Sequence, residues 1–140
     1  MSSEQYEIHL DDKYGSLTLV DIPAEIAAHE PWFNQTLTTV NESVVRLGVI
    51  EGDFHWHHHD DQDEFFLVLE GRLLIDLADR DTVTLEPHQG YTVPKGVEHR
   101  TRAPVRTAIL APVGVYEYRY TLVVGTLDAI RARAKKPTAP

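Results

Sequence analysis

The chain has 140 residues, no cysteine, and 13 basic against 22 acidic residues, for a formal charge of −9. Without a thiol there is no disulfide framework, no cysteine nucleophile and no thiolate-bound zinc, so any metal site must be built from nitrogen and oxygen. The length is that of one domain, and the negative charge repels phosphate backbones and anionic membrane surfaces, so neither nucleic acid nor a membrane is an expected partner. No apolar run reaches the roughly 18 residues of a membrane span, and Met1-Ser2-Ser3-Glu4-Gln5-Tyr6 has no basic stretch leading into an apolar one, so a cytoplasmic location is expected.

In chain order, residues 1–43 are expected to pack on the main body as strands and a short helix. Gly15 marks a turn, and residues 17–20 fit a short edge strand. Residues 21–28 read as one or two helical turns, with Asp21 as cap and Pro23 in the first turn, and Pro31 ends them. Residues 37–40 and 44–50 are β-branched runs separated by Asn41-Glu42-Ser43, a composition that suits a hairpin in which Val45, Leu47 and Val49 share one face.

From Phe54 onward turn residues recur at short intervals, at 60–63, Gly71, 79–81, 87–90, 94–96 and Pro104. Between them lie strand-forming runs at 65–69, 73–77, 82–85, 91–93, 99–101 and 106–113, with no room for a helical crossover. That rhythm belongs to an all-β, antiparallel sandwich or jelly roll. The core is expected over 44–113. Beyond it, residues 114–140 are expected to form one more strand, a short helix over 128–134 capped by Asp128, and a loose tail. In that strand Tyr116, Tyr118 and Tyr120 alternate with charges, so the three rings share one face and pack on the barrel or on a second subunit.

The segment from Gly52 to Gly71 holds the chemistry, with His55, His57, His58 and His59 among the chain's eight histidines. In an extended strand His57 and His59 point to one side, where they can close on one cation, and His58 points to the other. Glu64 follows after an acidic turn, at the start of Phe65-Phe66-Leu67-Val68-Leu69, and a second turn-rich boundary over 90–99 ends in His99. Imidazole with carboxylate suits one divalent transition metal, with zinc, iron, nickel, manganese and copper all admissible. His55 shares the parity of His57 and His59 and, with Phe66 and Thr101, is a candidate for lining the pocket. Asp60, Asp61 and Asp63 read as a solvated turn, and Arg72, Arg100 and Arg102 as surface ion-pair partners.

The pattern His57-x-His59-x4-Glu64-x6-Gly71, followed by Pro94-x-Gly96-x2-His99, resembles the two motifs of the cupin superfamily, in particular its small single-domain members, over residues 44–113. The resemblance implies a double-stranded β-helix with the metal inside the barrel mouth, held by His57, His59, Glu64 and His99, with Glu64 as the one catalytic candidate. Proteins that look like this include isomerases, lyases and oxygenases acting on small metabolites, and also non-catalytic modules that bind a sugar or another small molecule. The wholly polar motif in an otherwise apolar strand pair favours an enzyme over a binding module. Both faces of residues 65–69 are apolar, so one needs cover, and a homodimer is expected to supply it.

Overall fold

The computed structural model describes residues 6–114. In chain order these form β1 (Glu7–His9), α1 (Ile22–Ala28), β2 (Phe33–Val40), β3 (Ser43–Asp53), β4 (Glu64–Glu70), β5 (Leu73–Leu77), β6 (Val83–Leu85), β7 (Gly90–Val93) and β8 (His99–Gly114). The tyrosine strand and the helix expected over 128–134 lie outside the described residues. The sheet runs β1-β2-β3-β8-β4-β7, with β5 joining through β8 and carrying β6. Every strand pair is antiparallel except β1 with β2, where Glu7 pairs with Phe33 and His9 with Gln35 in parallel.

The long strand β8 closes the structure. Its first residues pair with β5, Leu77 opposite His99, while its second half pairs with β3 from Ile50–Thr107 to Ser43–Gly114 and with β4 through Leu67–Leu110. Pro104, expected to separate two strands, instead sits within one continuous strand. The register against β3 shifts between Ile50 and Gly52, and the proline falls in the extra residues of that bulge. A proline needs no ladder partner there, and the bulge lets one strand bend from one layer to the other.

Alternation then divides the apolar residues. Phe66, Val68, Leu73, Ile75, Leu77, Leu85 and Val93 fill the interior with Trp32, Ile50 and Ala103. The other side of the sheet has its own cluster, in which Ile26 of α1 meets Leu37, Leu47 and Ala108, flanked by Ile22, Leu69 and Leu110. The helix therefore covers the outer side of the sheet next to Leu69. Asp21 caps α1 by accepting from Ala24 N at 3.1 Å, and Arg106 of β8 closes its other end by donating to the carbonyls of Ile26 and His29 at 2.7 and 2.6 Å.

Residues 17–20 form no strand. Leu17 takes a left-handed backbone at φ 61° and its side chain is fully exposed. The reason is positional: the incoming segment is tied to β2 before residue 17, at Lys13 N–Thr36 O and Tyr14 N–Leu37 O and by Gln35 Nε2 to Asp11 O and Thr39 Oγ1 to Asp12, and it is β1 that adds to the edge of β2. The β2–β3 hairpin turns on Asn41, whose φ of 52° is tolerated because its short polar side chain can bond locally.

Candidate metal centre

Residues 54–59 leave β3 and run as an irregular segment with a single bridge, His57 opposite His99, rather than as the extended strand read from the sequence. The bridge is two-sided: His57 N donates to His99 O at 2.8 Å and His99 N to His57 O at 2.9 Å. Gly96 N donates to His59 O at 2.7 Å, and Lys95 N to Asp63 Oδ1 at 2.9 Å, so the turn before β8 is tied to the histidine segment along its length. The single bridge is enough to keep the alternation. His57 and His59 are buried, and His58 is half-buried.

These contacts bring His57, His59, Glu64 and His99 together, each buried and each offering a ligand atom within 4.8 Å of the other three. Glu64, the first residue of β4, faces inward like Phe66 and Val68. His57 Nδ1 donates to the carbonyl of His55 and His99 Nδ1 to that of Val97, both at 2.8 Å. Each bond fixes the tautomer and leaves Nε2 with a lone pair, the form in which an imidazole binds a metal. Glu64 Oε1 lies 3.1 Å from His59 Nε2 and 3.4 Å from His99 Nε2. Even so, His99 Nε2 is buried and has no hydrogen-bond partner among the described residues. Leaving a buried polar atom unmet is costly, and a cation among these atoms would remove that cost. The donor set therefore fits a divalent metal.

Protonation agrees. Burial, with the neighbouring His99 and His59, drives the His57 imidazole down to about 3, which keeps it neutral. Burial alone would raise the Glu64 carboxyl, but the His59 and His99 imidazoles outweigh it and hold the group well below its usual range. For His99 burial acts to lower the imidazole, but the neighbouring Glu64 carboxylate outweighs it and raises the group above its usual range.

The other expected site residues are placed less centrally. His55 is not in the group; its ring lies 4.9 Å from Phe54 and its carbonyl orients His57. The Phe66 ring stands edge-on to His99 at 6.2 Å, and Thr101, two residues along β8 from His99, accepts from Phe54 N through its carbonyl at 2.9 Å. His58 points away, with Nδ1 3.0 Å from Glu98 and Nε2 3.0 Å from Asp60. Arg100 and Arg102 pair with Asp76 at 2.8 and 2.6 Å, and Arg72 with Glu86 at 3.0 Å.

Sequence reasoning missed a polar and aromatic group beside the ligands. Arg46, wholly buried on β3, donates from Nε to Asn34 Oδ1 at 2.7 Å and from Nη1 to Thr36 Oγ1. Asn34 in turn donates to the Tyr6 hydroxyl at 3.5 Å. Trp32, tilted, and Phe54, edge-on, pack around Tyr6, and the Phe54 ring stands edge-on to His57 at 5.5 Å. One signal was available: once Val45, Leu47 and Val49 are given one face, Arg46 is the charged residue on the other face of an otherwise apolar run.

Comparison with known proteins agrees with this architecture. The family model described as Cupin domain matches residues 43–110. The uncharacterised protein YdbB of Bacillus subtilis (strain 168) is 49% identical over 77 residues, covering 55% of this chain and 68% of that protein. The crystal structure of a cupin-2 domain containing protein from Shewanella frigidimarina NCIMB 400 superposes with a TM-score of 0.64 at 32% identity, over 67% of this chain and 92% of that one. The protein NMB1881 of Neisseria meningitidis, 23% identical, shares the fold with a TM-score of 0.63 over 69% of this chain and 98% of its own. The chain belongs to the cupin family.

Proposed function

We propose that this protein is a metal-dependent cupin enzyme acting on a small molecule, with one divalent transition metal held by His57, His59, Glu64 and His99. The observation that carries the reading is the convergence of four buried ligand atoms within 4.8 Å, one of them an imidazole nitrogen with no hydrogen-bond partner among the described residues. A metal bound there supplies a Lewis acid or a redox centre with one or two positions left for a ligand, which serves isomerase, lyase or oxygenase chemistry.

The chain's own residues do the rest. The carbonyls of His55 and Val97 hold two imidazoles in place before any metal arrives, so little ordering remains to be done on binding. Phe66 and Phe54 flank His99 and His57 and keep bulk water from those rings. Glu64 brings the negative charge that offsets the cation. The test is elemental analysis of purified protein. One equivalent of transition metal per chain, lost on His57→Ala or His99→Ala, is the expected result. A parent protein that takes up no metal when dialysed against zinc, iron, nickel, manganese or copper refutes the reading.

A further inference from the structure

The wall beside the ligand group is built largely by residues outside the matched cupin region. Tyr6, Trp32 and Asn34 all precede residue 43, where the family match begins. The rings form one continuous patch: Tyr6 lies 5.3 Å from Trp32 and edge-on to Phe54 at 6.0 Å, Trp32 lies 6.1 Å from Phe54, and Phe54 meets His57 at 5.5 Å.

The polar end of this patch has a fixed direction. A guanidinium can only donate, so the Arg46 Nε bond to Asn34 Oδ1 sets the amide with its oxygen toward Arg46 and its NH2 toward Tyr6. Asn34 Nδ2 then donates to the phenol oxygen, which is thereby used as an acceptor. The Tyr6 O–H is left to donate, and among the described residues no group accepts it. Burial raises the Tyr6 hydroxyl above its usual range, and although Asn34 and Arg46 act the other way, the nearby Glu64 charge adds to the rise, so the phenol keeps its proton.

We infer that Tyr6 donates a hydrogen bond to an oxygen of the ligand bound at the His57, His59, Glu64 and His99 centre, while Trp32 and Phe54 take the flat face of that ligand. Asn34 and Arg46 act through Tyr6 as positioning residues. The ligand class this wall fits is a flat, mainly apolar molecule with a carboxylate or carbonyl oxygen, of which a carboxylated aromatic ring is the simplest case. A sugar fits it worse, because many hydroxyls would face three rings and a single phenol donor. The inference rests on the metal reading above and assigns specificity to the N-terminal residues of this chain.

The experiment uses the full chain loaded with cobalt, titrated with benzoate and with acetate, and follows the visible absorption of the metal. Both probes bring a carboxylate and only one brings a ring, so benzoate should bind at least about tenfold tighter than acetate. Tyr6→Phe should weaken benzoate by about tenfold, the worth of one hydrogen bond to a charged acceptor. Asn34→Asp replaces the inner donor by an acceptor that draws the Tyr6 O–H away, and it should weaken benzoate to a similar degree. Joined to Tyr6→Phe it should add nothing further. Phe54→Leu should erase most of the preference for benzoate while retaining acetate, and it keeps the question open to refutation if a Tyr6 variant folds poorly. Equal binding of the two probes, or benzoate binding untouched by Tyr6→Phe, overturns the inference and leaves the metal reading standing. An Asn34→Asp loss that persists in full when Tyr6 is already Phe overturns the positioning role. A parent chain that takes up none of cobalt, zinc, iron, nickel, manganese or copper overturns both readings together.

Discussion

At the scale of single residues, the division of labour among His57, His58 and His59 follows from direction rather than from residue type. His57 and His59 turn into the buried group, whereas His58 turns out to Glu98 and Asp60. Replacing His57, His59, Glu64 or His99 by Ala should therefore lower metal affinity by at least the roughly tenfold to hundredfold seen when even an outer partner of a ligand is lost. His58→Ala should keep the metal and cost at most about 1 kcal/mol of stability, since its ion pairs are half-exposed. Competition against a chromophoric chelator measures the first, and urea unfolding of the metal-free protein the second. Metal loss in His58→Ala with retention in His57→Ala would reverse the assignment. His57, His59 and Glu64 were readable because their spacing is local, whereas His99, forty residues on from His59, joined them through the resemblance of its own motif. The chain concealed Tyr6 and Asn34 because they reach the site through pairings across 28 and 12 residues that no periodicity reveals.

At the scale of elements, the glycine that ends the first motif has a steric cause. Gly71 sits at φ +92° between β4 and β5, and a Cβ there would lie 2.5 Å from Arg106 O and 2.7 Å from Thr107 Cα, both backbone atoms of β8. Neither can withdraw without opening the pairing of β8 with β3 and β4. Gly71→Ala should cost about 3 kcal/mol or more, combining left-handed strain with overpacking, and denaturant titration would register it as a lower midpoint. A second element-level device is Asp76 on β5, which accepts from Arg100 and Arg102 of β8 and from Thr82 Oγ1 at 2.7 Å. Arg102 foremost, with Thr82 and Arg100, holds its carboxyl far below the usual range against a burial effect of opposite sign. Because the folded value is depressed, the stabilisation is complete above the ordinary carboxylate pKa of about 4 and is lost as pH falls below it toward the folded value. Asp76→Asn should cost roughly 1–3 kcal/mol at pH 7. Below about pH 4 the gap between parent and variant should narrow, and melts from pH 7 down to about 2 would follow it. A constant gap would mean that the carboxylate charge contributes nothing. The strands themselves were legible from turn spacing. The β1 pairing and the single bent β8 were not, since a parallel edge strand of three residues and a bulge at Pro104 depend on contacts far away in sequence.

At the scale of the whole molecule, the α1 cluster covers the outer side of β4 at Leu69, while Phe65 and Leu67 on the same face stay half-buried, and the tyrosine strand expected to reach a partner falls outside the described residues. On the proposed metal reading, the architecture would couple metal binding to folding. His57 and His99 meet across a bridge, and Glu64 enters from β4, so the three come together only when β4 and β8 are paired. The unfolded chain still carries His57 and His59 as a local pair but lacks His99, forty residues on from His59. A metal that binds the native arrangement and hardly binds the open chain stabilises it by mass action. The gain is about 2.7 kcal/mol when free metal stands at a hundred times its Kd. For a chain of this size that corresponds to a shift in Tm on the order of 10 °C. Chelation should therefore lower the Tm of the parent and of His58→Ala by that order, and should hardly move His57→Ala, His59→Ala, Glu64→Ala or His99→Ala. Differential scanning calorimetry with and without chelator reads all six proteins in one series. A parent Tm that chelation leaves unchanged, in protein shown by elemental analysis to carry the metal, would mean that the ion sits on a surface formed equally well without the fold.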